Sequence, residues 1–240
     1  DWVHVDEKWF YVLNDGKGVY LHPTEPPPKP PRAQNKNFIT KVTFLAAVAR
    51  PRKMSSRVCF HGKIEIWPIV DTKVAQRTSK HRPKGTKVLV LATVDGERYK
   101  ELMIKAVIPA IKACMPRPDG HIIFVQQGGA TPHTNLGIMD AIEEAVGGDN
   151  VIGTQPASSP DLNINDLGFF HSIQQLKEYV GVTNTQEVEA IAEAFDVYPR
   201  DTLERVRQSL FSVYGEVLGS KGDNVYKIPR LGKETTEKEG

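Results

Sequence analysis

Apolar positions along the chain follow two rhythms. Up to about residue 95 they come in short runs broken by Gly and Pro, and later they recur mostly at helical spacing. Val3 to Leu13 (VHVDEKWFYVL) is aromatic and partly alternating, which predicts a strand. Asn14-Asp15-Gly16 reads as a turn and Gly18 to Leu21 as a returning strand. His22 to Arg32 (HPTEPPPKPPR) is too proline-rich to join a sheet interior and predicts a surface loop. Phe38 to Ala49, Lys63 to Ile69 and Val88 to Val94 predict three more strands. A helix follows over Glu97 to Ala113, then a strand over Ile122 to Val125. Leu136 to Val146 predicts a helix stopped by Gly147-Gly148. Val151 to Thr154 is a short strand, PASSPDLNIND a turn-rich loop, and Asp166 opens an apolar helix (LGFFHSIQQLKEYV). Two helices over Thr185 to Phe195 and Asp201 to Leu218 complete the pattern. In the last, Leu203, Val206, Leu210, Val213 and Val217 form one stripe, expected to pack on the chain's own sheet. Strands first and βα alternation later predict an α/β fold, a mixed sheet flanked by helices on both faces, with extra C-terminal helices at 184–219. There is no internal repeat.

Composition adds little to the fold and something about partners. With 240 residues, 40% hydrophobic and 25% charged, the chain is an ordinary globular sequence. The net charge of +2 is uninformative, but 73–87 (KVAQRTSKHRPKGTK) carries six Lys or Arg and no acid. Such a run is either a solvated loop or a surface for phosphate. Two cysteines without a CxxC exclude a disulfide scaffold or zinc finger and suit a reducing compartment. No apolar run reaches membrane-spanning length. The chain opens directly in a strand, so a fragment with upstream residues removed is expected. Residues 233–240 are charged and predict a disordered tail.

Few acids stand where chemistry would need them. Asp6 lies among Val3, Val5, Trp9 and Phe10, and burying it is costly unless it is paired or metal-bound. Alternatively it faces solvent with His4 and Lys8, which share its side of the strand. Asp166 is either a first-turn acid favoured by the helix dipole or a site residue. Asp161 reads as a turn residue. At the end of the central strand, QQGGATPH puts a side-chain-free Gly128-Gly129 pair where α/β folds place ligand chemistry.

Taken together, HVDEKWFY, FITKVTFLAAVARPR, RTSKHRPKGT, QQGGATPH, SPDLNINDLGFF and NVYKIPR resemble the catalytic domain of Tc1/mariner-family DNA transposases. The likeness is strongest to mariner-like elements of plants and other eukaryotes, and runs from Asp1 to about Arg230. It implies an RNase H-like catalytic domain over 1–232, with an insertion at 14–37 and the basic segment at 73–87. It also implies three acids holding two divalent metals, Mg²⁺ or Mn²⁺. The first maps onto Asp6 and the third onto Asp166. The second belongs to a motif written QQDNAxPH and maps onto Gly128, while Gln126, Gln127, Ala130, Pro132 and His133 keep the pattern. The 37 residues between Gly128 and Asp166 are slightly fewer than the plant-like group has.

The resemblance therefore implies two-metal phosphoryl transfer, DNA cleavage and strand transfer, with a metal ligand lost at Gly128. Each tenfold loss of rate is about 1.4 kcal/mol of barrier. Asp161, Asp119 and His133 are the nearby candidates for a substitute, whereas Glu7 points to the opposite face from Asp6. Arg77, Lys80, Arg82, Lys84 and His133 are the expected DNA contacts. DNA and a second copy of the chain (a homodimer) are the implied partners, in the nucleus, with no membrane and no nucleotide cofactor. The family's N-terminal helix-turn-helix modules are expected to be missing from this fragment, and site-specific recognition with them. A host-adopted module that binds DNA or protein without catalysis is the alternative.

Overall fold

Five strands make the central sheet, and their alternation sorts the apolar side chains into two cores. The structure, a computed structural model, describes residues 1–11, 41–54, 57–79, 82–115, 121–129, 135–148, 150–177, 184–223 and 225–228. The sheet order is β5-β2-β1-β8-β9, comprising β5 (Lys63–Pro68), β2 (Lys41–Ala49), β1 (Trp2–Tyr11), β8 (Ile123–Gln127) and β9 (Asn150–Thr154). β1 pairs antiparallel with β2, and β2 with β5. β8 runs parallel to β1, and β9 to β8. The mixed sheet expected from the pattern is thus present. The expected turn at 14–16, returning strand at 18–21, proline-rich loop and charged tail lie outside the described residues.

β2 shows why one run can be apolar throughout. Leu45, Ala47 and Ala49 face one core with Val3, Val5, Ile123 and Val125, while Val42, Phe44, Ala46 and Val48 face the other with Phe10 and Ile66. A strand covered on both faces has no polar side to show. The first core is closed by α1 (Gly96–Leu102) and α2 (Ile108–Cys114), joined through a π-helical turn at Met103–Val107, and by α3 (Leu136–Val146). Gly147 ends α3 at φ 82°, as its sequence predicts. The second core is closed by a π-helical turn (Asn165–Phe169) leading into α4 (Phe170–Leu176), by α5 (Asn184–Val197) and by α6 (Arg200–Gly219). The α6 stripe packs inward, with Leu203, Val206, Leu210 and Val213 buried. No described helix is long and apolar enough to cross a membrane.

Two hairpins stand apart from the main sheet, and of their four strands only the one expected over Val88 to Val94 was read from the pattern. β3 (Arg52–Met54) and β4 (Arg57–Phe60) pair beyond the end of β2. The basic segment is not simply a loop: its ends belong to β6 (Val70–Val74) and β7 (Lys87–Leu91), an antiparallel ribbon separate from the main sheet.

Candidate active site

Asp6 does not face open solvent with a polar stripe. Its side of β1 is covered by the second core, where Ile164, Phe169 and Phe170 are buried, and His4 on the same side is only 4% exposed. Burial pushes the His4 imidazole down to about 4, so it sits neutral beside the acid. The Asp6 carboxylate accepts from the Glu7 amide at 2.9 Å and shares a hydrogen bond with Asp166. Burial, followed by the Asp166 and Glu7 charges, pushes Asp6 up to about 7. Two carboxyls from distant parts of the chain therefore meet, with Asp166 on the exposed side of the pair.

Asp166 is carried there by a short polar clamp. Asn165 donates from Nδ2 to the His4 carbonyl at 3.0 Å, and Asn163 from Nδ2 to the Val5 carbonyl at 3.5 Å. The Asn163 Oδ1 in turn accepts from the Asn165 amide at 3.0 Å. Both asparagines are 0% exposed, and Ile164 between them enters the second core. The turn preceding Asp166 is thus fastened to the backbone of β1 just before Asp6.

The two glutamines before the Gly pair are fastened as firmly. Gln126 donates to the Leu162 carbonyl at 3.0 Å. Gln127 accepts from the Tyr99 hydroxyl at 2.9 Å, donates to Met139 Sδ at 2.8 Å, and its carbonyl accepts from the Gln155 amide at 2.8 Å. The end of β8 is therefore held between α1, α3 and the loop after β9. The parallel register pairs Trp2 with Phe124, Val3 with Val125 and His4 with Gln126. Carried two residues further, it sets Gly128 abreast of Asp6, and residues in parallel register share a face. By that register a side chain at 128 would share the face of Asp6. At Gly129 an added Cβ would stand 3.2 Å from the Gln155 carbonyl oxygen.

The remaining expected site residues divide clearly. Arg77, Arg82 and Lys84 are exposed at the tip of the β6–β7 ribbon, whereas Lys80 and His133 lie outside the described residues. Of the substitute ligands, Asp161 accepts a hydrogen bond from the Tyr226 hydroxyl, and Asp119 and His133 lie outside the described residues. Glu7 lies on the other side of β1, where its charge acts on the buried Tyr99 hydroxyl. Among the described residues no three His, Cys, Asp or Glu side chains group as metal ligands. Two neighbouring carboxyls that repel are a donor set for one hard divalent cation and do not complete a two-cation site. Asn163, Asn165, Tyr99 and the anchoring roles of Gln126 and Gln127 were not singled out from the sequence. The one available signal was the pair of amides flanking an apolar residue in LNIN.

No protein-family model and no curated protein matches this chain. Solved structures do. The chain is similar to the Mos1 mariner paired end complex with Mn at 20% identity and a TM-score of 0.64, covering 94% of this chain and 56% of that one. It is similar to the Mos1 transposase paired-end complex with left transposon end at 20% identity and 0.62, covering 92% and 55%. The catalytic domain of Mos1 mariner transposase matches at 17% and 0.57, covering 94% of this chain and 84% of that one. The chain spans little more than half the transposase chains in the complexes. At these identities the shared property is the fold: a mixed sheet with helices on both faces, the RNase H-like architecture of the Mos1 catalytic domain.

Proposed function

We propose that this chain is a mariner-like transposase catalytic domain that engages DNA at the Asp6–Asp166 end of its sheet, with strand cleavage impaired because Gly128 stands where a second acid is needed. The observation supporting this reading is the meeting of Asp6 and Asp166 on one face, with position 128 abreast of Asp6 by register. The Mos1 complexes hold transposon ends, and some hold Mn or Mg, which supports DNA and a divalent cation as ligands here. Asp6 and Asp166 would hold that cation, which when bound supplies Lewis-acid stabilisation to a phosphoryl group. The chain's own residues do the positioning. Asn163 and Asn165 fix the turn carrying Asp166, Gln126 and Gln127 fix the strand end carrying Gly128, and neutral His4 fills the floor without adding charge. A nuclear location and a homodimer belong to the same reading.

A second reading is a host-adopted module that binds DNA or protein without cutting. The same Gly128 favours it, since removing a carboxylate makes the site less repulsive to phosphate. Cleavage of a labelled duplex in Mn²⁺ separates the two, comparing the parent with Gly128→Asp and with Asp6→Ala. We expect Gly128→Asp to cleave at least roughly a hundredfold faster than the parent, a difference of about 2.7 kcal/mol in barrier. The single substitution is preferred because of the close Gln155 carbonyl at position 129. Parent cleavage equal to that of Gly128→Asp, and abolished by Asp6→Ala, would overturn the impaired reading. Absence of both cleavage and duplex binding in both proteins would overturn the transposase reading itself.

A further inference from the structure

The β6–β7 ribbon carries a dense positive charge on a built support, and its exposed cations have no ion pair among the described residues. We propose that it is an arm that grips duplex DNA flanking the Asp6–Asp166 site, seated in one major groove and held by phosphates on its rims. The inference rests on the DNA-acting reading above and deepens it by assigning the contact to this element.

Lys73, Arg77, Arg82, Lys84 and Lys87 are exposed, and none belongs to an ion pair among the described residues. The ribbon's one acid, Asp71, is taken by Arg98, whose guanidinium donates at 2.9 and 3.2 Å. That fork cancels the negative charge and at the same time ties the ribbon base to α1. A second tie comes from the start of α5, where Asn184 donates to the Leu89 carbonyl at 3.0 Å. Two strands alone are marginally stable in water, so these anchors matter.

The tip is structured as well. Ala75 is buried, and its amide donates to the Thr86 carbonyl at 2.9 Å while its own carbonyl accepts from Gly85 at 2.8 Å. The Lys84 amide donates to Thr78 Oγ1 at 3.0 Å, and Ser79 bridges Arg82. Gly85 sits at φ 90°, a conformation other residues rarely adopt. A surface loop needing only solubility would not require this scaffold. Val74, at the outer end of β6, is 50% exposed, so this end of the ribbon is open to a partner while its base rests on the body.

Its location selects the partner. Asp6, Ala46 and Ile66 lie in one row across three strands, and β5 then runs toward the same sheet end as β1. From standard strand spacings, Val74 is no more than about 30 Å from Asp6. That is within one turn of a duplex, about 34 Å. A two-stranded ribbon fits a major groove about 12 Å wide, with spaced cations meeting phosphate on both sides. A membrane surface or an acidic protein would have no reason to lie beside the carboxyl pair.

The test measures affinity for a duplex of about 30 base pairs and arbitrary sequence, by anisotropy between about 50 and 200 mM salt. The variant is Arg77→Gln/Arg82→Gln/Lys84→Gln/Lys87→Gln. A control, Lys112→Gln/Lys221→Gln, removes charge elsewhere on the surface, and circular dichroism confirms that each protein is folded. We expect the ribbon variant to lose about 0.9 of log–log salt slope per broken contact, up to about 3.6, with the control unchanged. A parent that binds duplex with a slope the ribbon variant leaves intact overturns the arm while sparing the reading beneath it. Unchanged DNA binding with a dimer lost in sedimentation assigns the ribbon to a second copy and also overturns it. A parent with no salt-dependent duplex binding removes the reading and the arm together.

Discussion

At the scale of single residues, Asp6 is an acid kept from its charge by burial and by its like-charged neighbours. Its folded carboxyl, at about 7, lies above the ordinary value of 3.8, so between these the folded state binds more protons than the unfolded chain. Stability therefore falls as pH rises from about 4 through about 7. In metal-free buffer, Asp6→Asn should flatten that fall and melt higher than the parent at pH 8, readable from thermal melts across pH. A larger fall in the variant would contradict the pairing. Asn165→Ala leaves the buried His4 carbonyl without its donor. It should cost about 1–3 kcal/mol in urea unfolding, and weaken Mn²⁺ binding although Asp6 and Asp166 are both kept. Asp6 was legible as a candidate because acids are rare in apolar strands. Asn163 and Asn165 were not, because an asparagine in a turn-rich loop looks like any turn former until the loop is seen lying on β1.

At the scale of elements, two joints control how the helices meet the sheet. Gly62 enters β5 at φ 88°, and an added Cβ would stand 2.7 Å from the Ala49 carbonyl oxygen and 2.7 Å from Leu203 Cδ2. Gly62→Ala combines left-handed strain with a backbone collision and should cost about 2 kcal/mol or more in chemical denaturation. Between α4 and α5, Lys177 donates to Glu187 at 2.6 Å with both side chains at 0% exposure. Glu187→Ala removes the carboxylate that this buried ammonium donates to and should destabilise by about 3–5 kcal/mol, whereas joint replacement of both by apolar residues should recover most of that loss. The long elements were legible. The helix at Leu136–Val146 matches its sequence bounds, since its periodicity and glycine stop agree. The ribbon was not, because VDTKV is short, half polar and flanked by a basic run, with twelve residues between it and its partner strand.

At the scale of the whole molecule, cation and DNA binding should be separable. Mn²⁺ should raise the melting temperature of the parent, do less for Asp166→Ala, and do more for Gly128→Asp, because a ligand bound only by the folded state stabilises it more the tighter it binds. Equal shifts in all three would place the cation elsewhere. The C-terminal segment also reaches the site region, since the Tyr226 hydroxyl donates to Asp161 just ahead of the asparagine clamp. Neither that contact nor the abutment of β8 on β1 is visible at the separations involved along the chain.

The sequence by itself determined the α/β class, most of the sheet strands and helices and the inward stripe of α6, and through motif resemblance it drew attention to Gly128. These are local or ordered-motif properties: periodicity, glycine and proline stops, and residue types at fixed places in a run. Only the tertiary structure decided that the His4–Asp6 side of β1 is covered, that Asp6 and Asp166 share a hydrogen bond, that parallel register sets Gly128 beside them, and that the basic segment is an anchored ribbon. Those depend on strand pairing and on amide contacts between residues far apart in the chain, and no spacing within one segment encodes them.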